Sequence, residues 1–230
     1  MIGLVAPGPF TVGETVTVSD AATHHLRVRR AVMGNGITLY DGAGTVAEGQ
    51  LTLLTTHRAV VSVTAVRQAP PPPAVHLLVP VADRDRMLWL AEKATELGLT
   101  SWRPVLWRRS RSVSPRGEGE GFAEKVRARM CAAIEQSGNP WLPTIERDVD
   151  PAQAAEQASG TRFLLTGGAP PLPTTMAAPI TLALGPEGGI EDEEAALFER
   201  SGFVPVSVGA HTLRFETAGV IALGLVRALL

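Results

Sequence analysis

Lysine is nearly missing from this chain: of its 21 basic residues only Lys93 and Lys125 are lysines. Cysteine is reduced to Cys131 alone, which excludes an internal disulfide framework and any cysteine-based metal site within one chain. A reducing compartment and no bound metal are expected. No basic segment followed by a long apolar stretch opens the sequence, so no secretion signal is predicted. The longest apolar run, Ala218 to Leu230, contains Arg227 and falls short of the roughly 20 residues a membrane span needs. The expectation is a soluble, cytoplasmic protein. Two nucleotide signatures are absent as well. No Gly-x-Gly-x-x-Gly opens a first βα unit, and no Gly-x-x-x-x-Gly-Lys-Ser/Thr occurs, which argues against dinucleotide and nucleoside-triphosphate sites.

What is present suits a globular protein. The chain is 45% hydrophobic and 19% charged, enough for a sizeable core, and its 230 residues allow one large domain or two small ones. A net charge of −2 does not announce a nucleic-acid partner, but the arginines are clustered at Arg27, Arg29 and Arg30, and again at Arg103, Arg108, Arg109, Arg111 and Arg116. Arginine forks onto phosphate and stacks on bases. A GC-rich genome would account for the overall bias equally well, though not for the clustering.

Up to about Ala69 the pattern is short and alternating. Residues 15–18, 37–40, 46–54 and 58–66 read as strands separated by Gly, Asn and Asp turns, with a helix over 19–30 capped by Ser19 or Asp20. This predicts a small β-barrel carrying one helix. Pro70–Pro73 then form a stiff linker, the best domain boundary in the chain. From residue 74 strands alternate with helices: strands over 75–79, 102–106, 161–165, 180–184 and 203–208; helices over 83–97, 121–136, 151–158, 191–200 and 216–230. Alternation of this kind predicts a mostly parallel sheet with helices on both faces. The stretch 111–121 reads as a mobile loop, basic and then acidic.

The second half is organised around Ile180-Thr-Leu-Ala-Leu-Gly-Pro-Glu-Gly-Gly-Ile190, followed by Glu191-Asp-Glu-Glu194. A buried strand leads into a glycine-rich turn and then a helix start, the arrangement with which open α/β sheets bind ligands. Four carboxylates at that helix start would repel a pyrophosphate, so a neutral or cationic ligand is predicted. Two other strands also end in glycine-bearing loops, Thr166-Gly167-Gly168 and Gly209 to Thr217. Any one could be an ordinary turn; three at one sheet edge point to a cradle for a ligand.

Lys93-Ala-Thr-Glu-Leu-Gly98, Glu135-Gln-Ser-Gly138, Leu184-Gly-Pro-Glu-Gly-Gly189 and Leu213-Arg-Phe-Glu-Thr-Ala218 occur in that order, with His24-His-Leu-Arg-Val28 upstream. In these motifs the chain resembles the RsmE family, whose members methylate N3 of a uridine in small-subunit (16S) ribosomal RNA. The resemblance spans both halves. It implies a PUA-like β-barrel for RNA binding, then an α/β SPOUT methyltransferase domain with a C-terminal trefoil knot, S-adenosylmethionine as cofactor, and a homodimer acting on 16S rRNA within the small ribosomal subunit. A donor carrying a sulfonium and an ammonium but no phosphate agrees with the acidic turn. A SPOUT methyltransferase acting on another RNA atom and a non-catalytic RNA-binding assembly factor are the alternatives.

On that resemblance the cofactor is expected against Leu184, Gly185, Pro186, Glu187 and Gly188 and against Val208, Gly209 and Leu213. Thr166 and Gly167 are expected near its ribose or methionine tail, with Leu165, Thr217 and Ala218 completing the shell. Methylation at N3 requires loss of the imide proton and stabilisation of the resulting charge. Arg214 is the candidate for the second task, with Glu216 orienting it or acting as base; Glu216 could instead be an ordinary first-turn carboxylate. RNA contacts are expected from His25, Arg27, Arg30, Arg109 and Gln136, although a helix-face histidine is usually structural. Glu96 is expected to pair with Arg109, and Trp102, Trp107 and Trp141 to pack in a core or interface rather than stack on bases. The chain departs from the family pattern at Arg29, Asn139, His211 and Thr212. The final helix, apolar nearly all round, calls for burial by the sheet and by a partner.

Overall fold

The computed structural model describes residues 1–112 and 116–230. Its contacts divide the chain into two compact units, Met1–Pro71 with Cys131–Leu142, and Pro72–Met130 with Pro143–Leu230.

The first unit is built on a five-stranded sheet. Its strands are β1 (Ile2–Val5), β2 (Thr15–Thr17), β3 (Gly36–Tyr40), β4 (Thr45–Leu54) and β5 (Ala59–Gln68), in the order β1-β3-β4-β5-β2. β1 pairs parallel with β3 and the remaining pairs are antiparallel. β4 is irregular at Glu48/Gly49, and only glycine fits there: a Cβ on Gly49 would stand 2.3 Å from the Ser62 carbonyl oxygen. Helix α1 (Asp20–Val28) starts where Ser19 accepts a hydrogen bond from the Ala22 amide at 3.2 Å. It buries Leu26 against Leu4, Ile37, Leu39 and Val61. The sequence reading overlooked β1 and assigned 131–142 to the second half, whereas these residues pack with the first: the Val5 amide donates to Glu135 at 3.0 Å, and Ile134 packs with Tyr40 and Val46.

The second unit carries β6 (Val75–Pro80), β7 (Ser101–Val105), β8 (Thr144–Ile145), β9 (Thr161–Leu165), β10 (Ile180–Leu184) and β11 (Val204–Val206). The order is β11-β9-β10-β6-β7-β8 and every pairing is parallel. An α/β fold on a parallel sheet is what the alternation implied; β8, two residues long, escaped it. The helices are α2 (Arg84–Glu96), α3 (Glu120–Ser137), α4 (Pro151–Gln157), α5 (Asp192–Arg200) and α6 (Phe215–Leu229). α3 belongs to this unit as far as Met130. β10 is buried along its whole length; its one polar residue, Thr181, donates to the Ser159 carbonyl at 2.8 Å. Trp107, Phe198 and Phe203 stack under one face, with ring centroids 4.9 and 4.7 Å apart. Trp102 and Trp107 are therefore core residues. Of the stretch read as a loop, residues 113–115 lie outside the described residues; α3 already begins at Glu120. Among the described residues no helix is long and apolar enough to cross a membrane.

Candidate functional site

Because all six strands run parallel, the loops after β9, β10 and β11 leave the sheet at one edge, with β11, β9 and β10 side by side. They enclose a cleft of about 540 Å³. Leu165, Thr166 and Gly167 line it from β9; Leu184, Gly185, Pro186 and Glu187 from β10; Leu213, Arg214 and Ala218 from the entry to α6. An adjoining recess of about 80 Å³ brings in Val208 and Gly209. The turn after β10 is tight: the Gly189 amide donates to the Pro186 carbonyl at 2.9 Å, and Gly189 has φ +78°. At Gly185 a Cβ would lie 2.7 Å from Ile190 Cγ1.

Three expected cofactor or catalytic residues sit elsewhere. Gly188 faces Arg109, whose Nη1 donates to its carbonyl at 2.8 Å. Glu216 and Thr217 line a neighbouring hollow with Asp85, Arg86 and Trp89. Glu216 is buried; its Oε1 lies 3.9 Å from Arg86 Nε, and its Oε2 has no hydrogen-bond partner among the described residues. Its cationic neighbour is thus Arg86 and not Arg214, because residues two apart at a helix start diverge. Arg86 also pairs with Glu187.

The acidic run does not form the phosphate-repelling wall inferred from sequence. Glu191 and Glu193 accept from Arg108 Nη1 at 3.0 and 2.8 Å, which raises the Arg108 pKa. Glu194 is buried, accepting from the Arg108 amide at 3.0 Å and from the Glu191 amide at 3.2 Å in a capping box. Of the four, only Asp192 lines the cleft. With Glu187 it faces Arg86 and Arg214, so the lining is balanced in charge. Glu96, expected on Arg109, is held instead by Lys93 Nζ at 2.8 Å. Arg109, expected on RNA, reaches Gly188 and lies 3.7 Å from Glu191. His25, Arg27 and Arg30 occupy α1 and the turn after it, the arginines exposed, and Gln136 is exposed on α3 within the same first unit.

Arg86 and Trp89, which line the cleft and the hollow, carry no mark in the sequence. The loop after β6, Val81-Ala82-Asp83, has no glycine to mark it as a ligand-bearing turn. Yet β6 lies beside β10 and leads directly into α2, so its first turn had to reach the same edge.

A profile of the family described as RNA methyltransferase domain matches residues 69–227. The ribosomal RNA small subunit methyltransferase E of Synechocystis is 32% identical over 99% of this chain and 77% of its own length. The chain belongs to the ribosomal RNA small subunit methyltransferase E family. The namesake from Mycobacterium bovis is 28% identical over 96% of this chain and 88% of its own. Among solved structures, ribosomal RNA small subunit methyltransferase E from Neisseria gonorrhoeae, bound to S-adenosyl methionine, superposes with a TM-score of 0.88 at 27% identity, covering 100% of this chain and 98% of that one. In this methyltransferase the profile match contains every residue of the cleft and the hollow, while α1 and its arginines lie outside it.

Proposed function

We propose that the chain methylates N3 of a uridine in 16S ribosomal RNA, using S-adenosylmethionine. The names of its relatives support the RNA and the reaction class, and the S-adenosyl methionine in the Neisseria structure supports the donor. One observation carries the reading: three backbone turns from adjacent parallel strands converge on a single cleft. Its volume, about 540 Å³, is within the range of small-molecule sites. Gly185 and Ile190 both line it, and a Cβ on Gly185 would lie 2.7 Å from Ile190 Cγ1. Leu184, Gly185, Thr166, Gly167 and Leu213 would hold the cofactor through backbone and apolar contacts. When bound, S-adenosylmethionine supplies an electrophilic methyl group.

The chain's own residues prepare the acceptor. Arg214, exposed at the cleft, stabilises the negative charge that develops on the uracil oxygens as N3 loses its proton. Glu216, buried at the start of α6 and approached by Arg86, accepts that proton or orients the groups that do. A paired N3 edge is inaccessible, so the target base is unpaired or extruded. His25, Arg27 and Arg30 on the first unit, a PUA-like barrel in this reading, grip RNA phosphate. The insertion of β10 between β6 and β9 supports the knotted SPOUT topology. Ile221, Leu225 and Leu229, exposed on α6, support burial against a second copy. The soluble enzyme then works in the cytoplasm on the small subunit.

Incubation of undermodified 16S rRNA with the chain and S-adenosylmethionine, followed by nucleoside mass mapping, should yield N3-methyluridine. Arg214→Ala should bind donor in calorimetry yet lose turnover at least about 100-fold, as for removal of one transition-state charge donor. Methylation of another atom would overturn the assignment of N3, and near-normal turnover would remove Arg214 from the chemistry.

A further inference from the structure

The hollow beside the cofactor cleft has its own chemistry. It measures about 340 Å³ and opens between the first turns of α2 and α6. Its two walls are held together at Gly219, where a Cβ would stand 3.0 Å from Leu90 of α2. Three observations bear on what it holds. Trp89 is 44% exposed, whereas Trp102 and Trp107 are 1% and 0% exposed. An indole left in water beside an ionisable cluster offers a flat apolar face that a second ring can cover. Arg86 lines both the hollow and the cleft, between Glu187 and Glu216. Glu216 is buried with an oxygen that has no partner among the described residues, an arrangement that costs free energy until a donor meets it.

We propose that this hollow seats the base to be methylated, with Trp89 stacked on its face and the Arg86–Glu216 pair reading its edge. This rests on the N3 reading above. The N3 edge of uracil presents acceptor, donor, acceptor: a carbonyl oxygen, the N3 proton, a second carbonyl oxygen. A guanidinium beside a carboxylate presents donor and acceptor, and so matches two adjacent positions of that edge. Cytosine carries a lone pair at N3, which the Glu216 carboxylate would repel. The pocket therefore selects uracil over cytosine, and it places the selected edge next to the side chain shared with the cofactor cleft.

The test uses the whole 230-residue chain. Without donor, oligouridylate should quench tryptophan fluorescence in the wild type, more strongly than oligocytidylate, and Trp89→Phe should abolish the quench. With undermodified 16S rRNA and donor, Trp89→Ala should raise KM roughly 10- to 100-fold, the worth of one base–aromatic stack, with a smaller change in kcat, and Trp89→Phe should restore most of the loss. Quenching that persists in Trp89→Phe, equal quenching by both oligonucleotides, or a KM within two-fold in Trp89→Ala would overturn the proposal. So would light scattering that shows Trp89→Ala falling apart into smaller species, since the indole would then cover a second copy of the chain. If wild-type product carries the methyl on another atom while the uridine-selective quench remains, the N3 reading fails and the pocket stands.

Discussion

At Gly185 the chain leaves a fully buried strand, and a Cβ there would lie 2.7 Å from Ile190 Cγ1. A side chain there must displace Ile190, itself part of the cleft lining, or open the turn. Gly185→Val should therefore weaken cofactor binding in calorimetry by roughly 10-fold or more, the scale of a 1–3 kcal/mol overpacking cost. The circular dichroism spectrum should stay close to that of the wild type. An unchanged dissociation constant would mean that the turn does not touch the cofactor. The glycine turn was legible from sequence because backbone close approach demands glycine wherever it occurs. The fate of the carboxylates behind it was not. Glu191 and Glu193 are matched by Arg108, 83 and 85 positions away, and no local pattern reports a partner at that distance. For the same reason Arg109 reads as an RNA contact or a partner of Glu96 in the sequence and as a clasp on the Gly188 carbonyl in the structure.

Between residues and the whole molecule, elements were legible in proportion to their length and burial. β10 and β9 span the residues predicted, since the apolar runs Leu182–Leu184 and Phe163–Leu165 each end at a glycine-bearing turn. β1, four residues with a glycine inside, and the two-residue β8 leave too little pattern to detect. One polar residue inside β6 makes an element-scale prediction. His76 donates to or accepts from Ser101 Oγ at 2.8 Å between β6 and β7, and its pKa is lowered from 6.5, first by burial and then by Arg103. The folded state therefore binds the proton less readily than the unfolded chain. Its full stability is present above pH 6.5 and is lost as pH falls through the lower, folded-state value. Urea midpoints measured from about pH 7 down to about pH 5 should fall, and His76→Gln, which carries no titrating group, should flatten part of that decline. A slope identical in the variant would assign the acid sensitivity to other groups.

On the scale of the whole molecule, the prolines 70–73 suggest a single division, whereas the first compact unit comprises Met1–Pro71 together with Cys131–Leu142. Composition announces a proline-rich boundary, but it is silent about a segment that returns after 60 residues. The return is anchored by close backbone approach: a Cβ on Gly3 would lie 2.5 Å from the Glu135 carbonyl oxygen, and the Val5 amide donates to the Glu135 carboxylate at 3.0 Å. Ile134 is fully buried against Tyr40 and Val46. A unit of this size has little stability to spare, so removing that segment exposes Tyr40 and Val46 and leaves the Val5 amide without its partner. The fragment 1–71 alone should therefore show no cooperative urea transition when followed by the fluorescence of Tyr40, its only tyrosine. In the full chain, Glu135→Ala should speed hydrogen exchange at the Val5 amide by about 10-fold, as expected for loss of one hydrogen bond to a charged acceptor worth about 1.5 kcal/mol. Cooperative unfolding of 1–71 would show instead that the strands of the first unit stand without the end of α3.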